Sequence, residues 1–296
     1  MIKRVIEISN ARTHLSIRLG QLIVKREGEV IGQIPCEDVG VLVVDHGGTC
    51  YTHSVFTTLL EQGAAIVLCN GQHHPAGMLL PLETNHLQTE RFRQQIDVKE
   101  PVKKRLWKQI VQAKIRHQAK LVRYDEVTYK HLRAMVRRVR SGDPDNIEAQ
   151  AAKRFWCAYL QHLPFKRERE GAPPNNLLNY GYTVMRAAVA RAICSAGLLP
   201  ALGIHHRNRY NAFCLADDLV EPFRGFVEKK VQELCGEGSD ISDLTQELKA
   251  ALLEVLYETV QIAGFSGPLM VGLHRTGASL ARCFAGEDTM LELPEL

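Results

Sequence analysis

Asn85-His-Leu-Gln-Thr-Glu-Arg-Phe-Arg-Gln-Gln-Ile-Asp-Val-Lys-Glu-Pro101 is where this chain changes its period. Upstream, short β-branched or alternating runs cover 5–8, 14–18, 21–25, 30–34 and 39–44, punctuated by Gly20, Gly28, Pro35 and Gly47-Gly48. A helix over 52–62, with Thr52 as a possible N-cap, and a buried strand over 64–69 complete that half. His73-His74-Pro75 reads as an exposed loop. From Asn85 the apolar spacing becomes helical and predicts helices over 87–98, 101–122, 126–139, 146–160, 177–196, 216–236 and 244–263. The expected fold is α+β: a small N-terminal β-rich domain over 1–82, a linker over 83–100, and a larger all-α C-terminal domain over 101–296.

At 296 residues, 45% hydrophobic and 24% charged, the chain is long and apolar enough to bury a sizeable core. Net charge is only +4, but its distribution is uneven. Lys103, Lys104, Arg105, Lys108, Lys114, Arg116, Lys120, Arg123, Lys130, Arg133, Arg137, Arg138 and Arg140 face only Asp125 and Glu126 between Pro101 and Arg140. Such a block is either a solvated helical face or a footprint for phosphates. None of the eight cysteines forms a C-x-x-C pair, which argues against a zinc or redox motif. The opening Met1-Ile-Lys-Arg-Val-Ile-Glu has no apolar core of a signal peptide, and no apolar run approaches membrane-spanning length. The expectation is a cytoplasmic protein without membrane association. Phosphate-binding GxxxxGK[ST], GxSxG and HExxH motifs are absent.

Three islands in the second half carry candidate chemistry. The first runs Gly142-Asp-Pro-Asp-Asn-Ile-Glu148-Ala-Gln-Ala-Ala-Lys-Arg-Phe-Trp156. Asn146 reads as an N-cap, placing Glu148 in the first turn, where it could simply favour the helix dipole. Glu148 shares a face with Ala152, Phe155 and Trp156, however, so it is drawn toward the core and needs a partner there. The second island is Gly203-Ile-His205-His206, of which one histidine at most can reach a shared ion. The third is Leu215-Ala-Asp217-Asp218-Leu-Val-Glu221-Pro-Phe-Arg224. Either Asp217 or Asp218 can converge with Glu221 at helical spacing, and such like charges call for a cation or proton between them. Two carboxylates and a histidine together would suit Mg²⁺ or Mn²⁺.

The islands together resemble the CRISPR-associated spacer-acquisition integrase, the endonuclease of the adaptation complex. The pattern is similar to that family's GDxxNxExxAAxxxW, GxxH and LxxDLxExFR. Asn175-Asn-x-Leu-Asn-Tyr-Gly-Tyr182 and Arg91-Phe-Arg-x-Gln95 resemble further family segments. The run from Gly203 to Asn211 is most similar to the type II subgroup. The resemblance implies Glu148, His206 and Glu221 as metal ligands, with Asp218 beside them in catalysis. It implies double-stranded DNA as substrate, both the captured fragment and the CRISPR repeat. Lys103, Lys104, Arg105, Lys108, Arg137, Arg138, Arg207, Arg209 and Arg224 are the candidate phosphate contacts. It further implies a homodimer, two of which are bridged by a small ferredoxin-like partner, with the type II effector nuclease assisting. A stand-alone nuclease for branched or damaged DNA, or a non-catalytic DNA-binding scaffold, are the competing readings.

Overall fold

Val39-Gly-Val-Leu-Val-Val44 forms strand β5, buried along its whole length. It lies between β1 (Arg4–Ile8) and β7 (Ala65–Cys69), parallel to both, and β8 (Pro75–Leu79) closes that four-stranded sheet antiparallel to β7. Burial on both faces explains a continuous apolar run rather than an alternating one. Successive side chains serve different cores: Leu42 and Val44 join Leu15, Leu22, Val55 and Leu59, whereas Val41 and Val43 join the helical half. The structure, a computed structural model, describes residues 3–9, 11–71, 75–83, 85–236 and 240–296. The expected His73-His74 loop lies outside them.

The second sheet has the order β4 (Glu29–Pro35), β3 (Gln21–Arg26), β2 (His14–Arg18), β6 (Cys50–Tyr51). Two-residue turns join its hairpins, Leu19-Gly20 with φ of 49° and 71° and Glu27-Gly28 with φ of 50° and 89°. Both central residues are left-handed, as the twist of a tight hairpin requires. Helix α1 (His53–Glu61) packs between the sheets through Val55 and Leu59.

The helical half comprises α2 (Gln88–Asp97), α3 (Glu100–Leu121), α4 (Glu126–Arg138), α5 (Ile147–Ala158), α6 (Asn175–Ser195), α7 (Cys214–Val220), α8 (Arg224–Gly236), α9 (Gln246–Glu254) and α10 (Leu269–Ala285). The α+β class expected from the sequence is confirmed, with departures in the last third of the chain. The helix expected to reach residue 263 ends in a 3-10 turn at Tyr257. It gives way to β9 (Thr259–Ile262), β10 (Phe265–Pro268) and β11 (Pro294–Glu295), a small sheet in the order β10-β9-β11, so this half is not all-α. Thr259-Val-Gln-Ile262 alternates exposed and buried, and Ala263-Gly264 is a third left-handed hairpin turn. Helix α10 has no counterpart among the helices expected from the sequence.

Two sets of buried ionisable groups hold elements of the fold together. Lys249 on α9 contacts Asp45 just after β5, with Glu7 of β1 at 3.7 Å, and joins the two halves electrostatically. His117 on α3 is 3% exposed, with Nε2 3.0 Å from the Pro294 carbonyl oxygen. Burial pushes its pKa down to about 4. Below about 6.5 the unfolded chain therefore takes up a proton that the folded chain refuses, and stability falls with pH through that window. We expect His117 to cost about 2 kcal/mol between pH 7 and pH 5 by this linkage. His117→Gln should flatten the corresponding part of the urea-midpoint profile; an unaltered profile would refute a neutral buried imidazole.

Candidate metal centre and nucleic-acid interface

Gly142 and Asp143 both have positive φ, turning the chain sharply into α5. Asp143, not Asn146, caps that helix: its Oδ1 and Oδ2 accept from the N–H groups of Ile147 and Glu148 at 2.9 Å each. Asn146 sits at the N-cap position with φ 51° and no side-chain cap bond. The turn thus fixes the backbone of Glu148, whose carboxylate contacts the ammonium of Lys114 from α3.

Glu221 opens a 3-10 turn, Glu221–Phe223, between α7 and α8. Its Oε2 lies 2.6 Å from the same Lys114 Nζ, and its Oε1 lies 3.1 Å from Arg224 Nε. Burial would raise the Glu221 carboxyl; Arg224, Lys114 and nearby His206 bring it below the usual carboxylate range. Burial would likewise lower Lys114, but Glu221 and Glu148 hold it above the ordinary lysine value. Arg224 also stacks over the Tyr182 ring at 4.6 Å, so it belongs to the floor of this site. Tyr182 in turn donates to Glu228 Oε1 at 2.7 Å. Gly181 makes that possible: a Cβ there would stand 2.4 Å from Val227 and push α6 off α8.

Asp218 is fully buried under the Gly203–His206 loop. It accepts from the N–H groups of Ile204 at 2.6 Å, His205 at 2.9 Å and His206 at 3.2 Å, and from His206 Nδ1 at 2.6 Å. The hydrogen bond to Asp218, opposed by burial, raises the His206 pKa. With Nδ1 committed to a carboxylate, Nε2 keeps the free lone pair of the neutral ring. His205 instead lies flat on Trp107, ring centroids 4.2 Å apart. Asp217 turns elsewhere, pairing with Arg186 Nε at 2.6 Å and accepting from Asn211.

Gly203 is required by this wrapping. A Cβ there would meet the His206 carbonyl oxygen at 2.3 Å and Asp218 Oδ2 at 2.9 Å. Gly203→Ala should displace His206 and lower activity roughly 10²-fold, the scale of a 1 Å misplacement. Steady-state rates on the duplex DNA that the sequence resemblance implies as substrate would show it; wild-type rates would refute the loop's role. Gln95 of α2 steadies the approach to this loop. It donates to the carbonyls of Leu199 and Leu202 at 3.0 Å each and accepts from Leu199 N–H at 2.8 Å. That is the physical role of the Arg91-Phe-Arg-x-Gln95 segment.

Glu148 and Glu221 are therefore brought together, but around a lysine, while His206 is held from below by Asp218. Among the described residues no three His, Cys, Asp or Glu side chains close on one point as a ready-made ion site. Lys114 belongs by sequence to the basic block, yet it does not share the exposure of that block. Its spacing with Trp107, Ile110, Val111 and Gln118, all buried, is the available signal of an inward cation. Of the candidate phosphate contacts, Lys104, Arg105, Arg137, Arg138, Arg207 and Arg209 are exposed and Lys103 and Lys108 half-buried. Lys103, Arg207 and Arg209 line a cavity of about 650 Å³ beside His206. Arg207 also reaches Glu100 at 2.5 Å. No helix among the described residues is long and apolar enough to cross a membrane.

The profile of the family described as CRISPR associated protein Cas1 matches residues 6–255. A CRISPR-associated endonuclease Cas1 from Neisseria meningitidis is 37% identical over 285 residues, 95% of this chain and 93% of that protein. One from Pyrobaculum aerophilum is 26% identical, covering 94% of this chain and 98% of its own length. Among solved structures, a Cas1 protein from Thermotoga maritima superposes with a TM-score of 0.76 at 16% identity, covering 97% of this chain and 99% of that one. A casposase bound to its integration product gives 0.79 at 17% identity, with 98% and 92% covered. These structures share the fold. With the profile spanning most of its length and a curated relative matching it nearly end to end, this chain belongs to the Cas1 family.

Proposed function

We propose that this protein is a metal-dependent DNA endonuclease and integrase that inserts short captured foreign DNA into a CRISPR repeat array. The strand-transfer step is attack by a 3′-hydroxyl of the captured duplex on a phosphodiester at the repeat edge; water in its place would give nuclease activity. Family membership and curated relatives named as endonucleases support this reading. The observation that carries it is the fixing of His206 by the fully buried Asp218, which leaves the Nε2 lone pair uncommitted within electrostatic reach of Glu221.

The donor set fits a hard divalent ion. Two carboxylates already share a cation, the Lys114 ammonium, and an imidazole that acts electrostatically on Glu221 has its outer-nitrogen tautomer set. Glu148, His206 and Glu221 would hold Mg²⁺ or Mn²⁺, which would supply polarisation of the scissile phosphate and countercharge for the leaving 3′-oxygen. Asp218 orients His206 and so acts one step behind the ligands. Arg224 steadies Glu221 from below. Lys103, Arg207 and Arg209 hold phosphates in the cavity beside His206, and the exposed arginines and lysines of α3 and α4 extend that surface.

The proposed assembly is a homodimer through the β-rich half, two such dimers bridged by a small ferredoxin-like partner, with a type II effector nuclease assisting selection of the captured DNA. A solved structure of the same fold, from a Cas6-RT-Cas1–Cas2 complex, superposes with a TM-score of 0.80 at 18% identity, covering 99% of this chain and 36% of that one. The deciding experiment is strand transfer of a 3′-hydroxyl duplex into a repeat-bearing plasmid with the partner protein and Mg²⁺ or Mn²⁺. Junction cleavage without transfer would favour a stand-alone nuclease, and metal-independent function a scaffold. Reversing Lys103, Lys104 and Arg105 to glutamate should lower the slope of log affinity against log salt by about one for each phosphate no longer neutralised. An unchanged slope would return that stretch to a solvated face.

A further inference from the structure

Lys114 lies on the buried stripe of α3 and touches both proposed acidic ligands, Glu148 and Glu221. With Arg224 on the other oxygen of Glu221, two cations balance two carboxylates. A divalent ion between the same carboxylates would add two positive charges where water is largely excluded, and would compete with the ammonium for the same oxygens. Resting on the metal reading above, we propose that Lys114 is an internal counter-cation: it holds Glu148 and Glu221 in position in the metal-free protein and releases them when a divalent ion binds. It is a positioning residue, acting through the two carboxylates.

The structure also offers the displaced ammonium somewhere to go. Glu228, on α8, is 2% exposed; Tyr182 occupies its Oε1, and its Oε2 has no hydrogen-bond partner. Burial raises the Glu228 carboxyl, opposed by its hydrogen bond from Tyr182 and then by the charges of Lys114 and Arg224. The flexible four-carbon stem of lysine can redirect its ammonium without moving α3. An arrangement of this kind keeps the buried Glu221 and the half-buried Glu148 from being left unpaired before metal arrives, and sets metal affinity below that of the bare pair.

The test is Mn²⁺ binding to the full chain, read from the electron paramagnetic resonance signal of free Mn²⁺, with the thermal midpoint measured alongside. Wild type is compared with Lys114→Met, Lys114→Gln, the charge-retaining Lys114→Arg, and Glu148→Gln. The expected result is Mn²⁺ binding at least about tenfold tighter in the Met and Gln variants. Their midpoints without metal should fall, and added Mn²⁺ should raise them more than it raises wild type. Lys114→Arg should stay near the wild-type affinity. Affinity unchanged or weakened in folded Lys114→Met and Lys114→Gln, while wild type binds and Glu148→Gln does not, overturns this inference alone. No Mn²⁺ binding by any of the proteins overturns the metal reading and this inference together.

Discussion

We expect Glu148→Ala to abolish the proposed metal-dependent strand transfer, lowering the rate by at least ~10³-fold, equivalent to several kcal/mol of transition-state stabilisation. The substitution removes one of the two carboxylates that converge on Lys114 and leaves Glu221 there. Duplex affinity should stay near the wild-type value, because the exposed basic residues of α3 and α4 lie outside the change. Local folding should also persist, since Asp143 caps α5 without help from the Glu148 side chain. Paired gel-shift and strand-transfer assays separate the two effects. Full transfer activity in this variant would remove Glu148 from the site.

Lys249→Met should destabilise the protein by about 3–5 kcal/mol, the usual cost of removing one partner from a buried ion pair. Asp45 is 6% exposed and Lys249 4%, and Glu7 stands at 3.7 Å on the neighbouring strand. Burial raises the Glu7 carboxyl, with Lys249 the main opposing influence. Without the ammonium, two carboxyl groups, one on β1 and one just after the adjacent β5, are left at the same buried spot. Urea titration reads the loss directly. Combining Lys249→Met with Asp45→Asn should recover part of it, because the second change deletes the stranded charge. A single variant as stable as wild type would mean that solvent reaches this pair.

Much of the fold is legible in the sequence because local patterns and tertiary context agree. Val39–Val44 is apolar throughout and sits between two parallel neighbours in the sheet; Gly20 and Gly28 mark hairpin turns that need positive φ. Helix α10 is harder to read because Gly272, Thr276, Gly277 and Ser279 lower its helical propensity. The same small residues let it approach α6 closely: a Cβ on Gly277 would be 3.0 Å from the Ala192 carbonyl oxygen. Tertiary packing overrides propensity there. At β9 the helical period is the wrong one, and Ala263-Gly264 is the visible hairpin signal against it.

The site divides in a similar way. Glu148 on an apolar helical face already implies a buried partner. Which of two adjacent histidines and two adjacent aspartates turns inward is not written locally, because that choice depends on how the Gly203–His206 backbone wraps Asp218. Lys114 is hidden among surface cations of the same charge. Only its register with buried neighbours distinguishes it.

Strand β5 bears on how such proteins can be recombined. Val41 and Val43, with Val5 and Val67 on the flanking strands, pack into the same core as α3, α6 and α10. A hybrid joined near residue 85 would graft one protein's valines onto another's helical surface, in a close-packed interior that tolerates little mismatch in volume. Exchange between relatives would therefore succeed when these four valines travel with the helices they touch, and the heritable module is larger than either half of the chain.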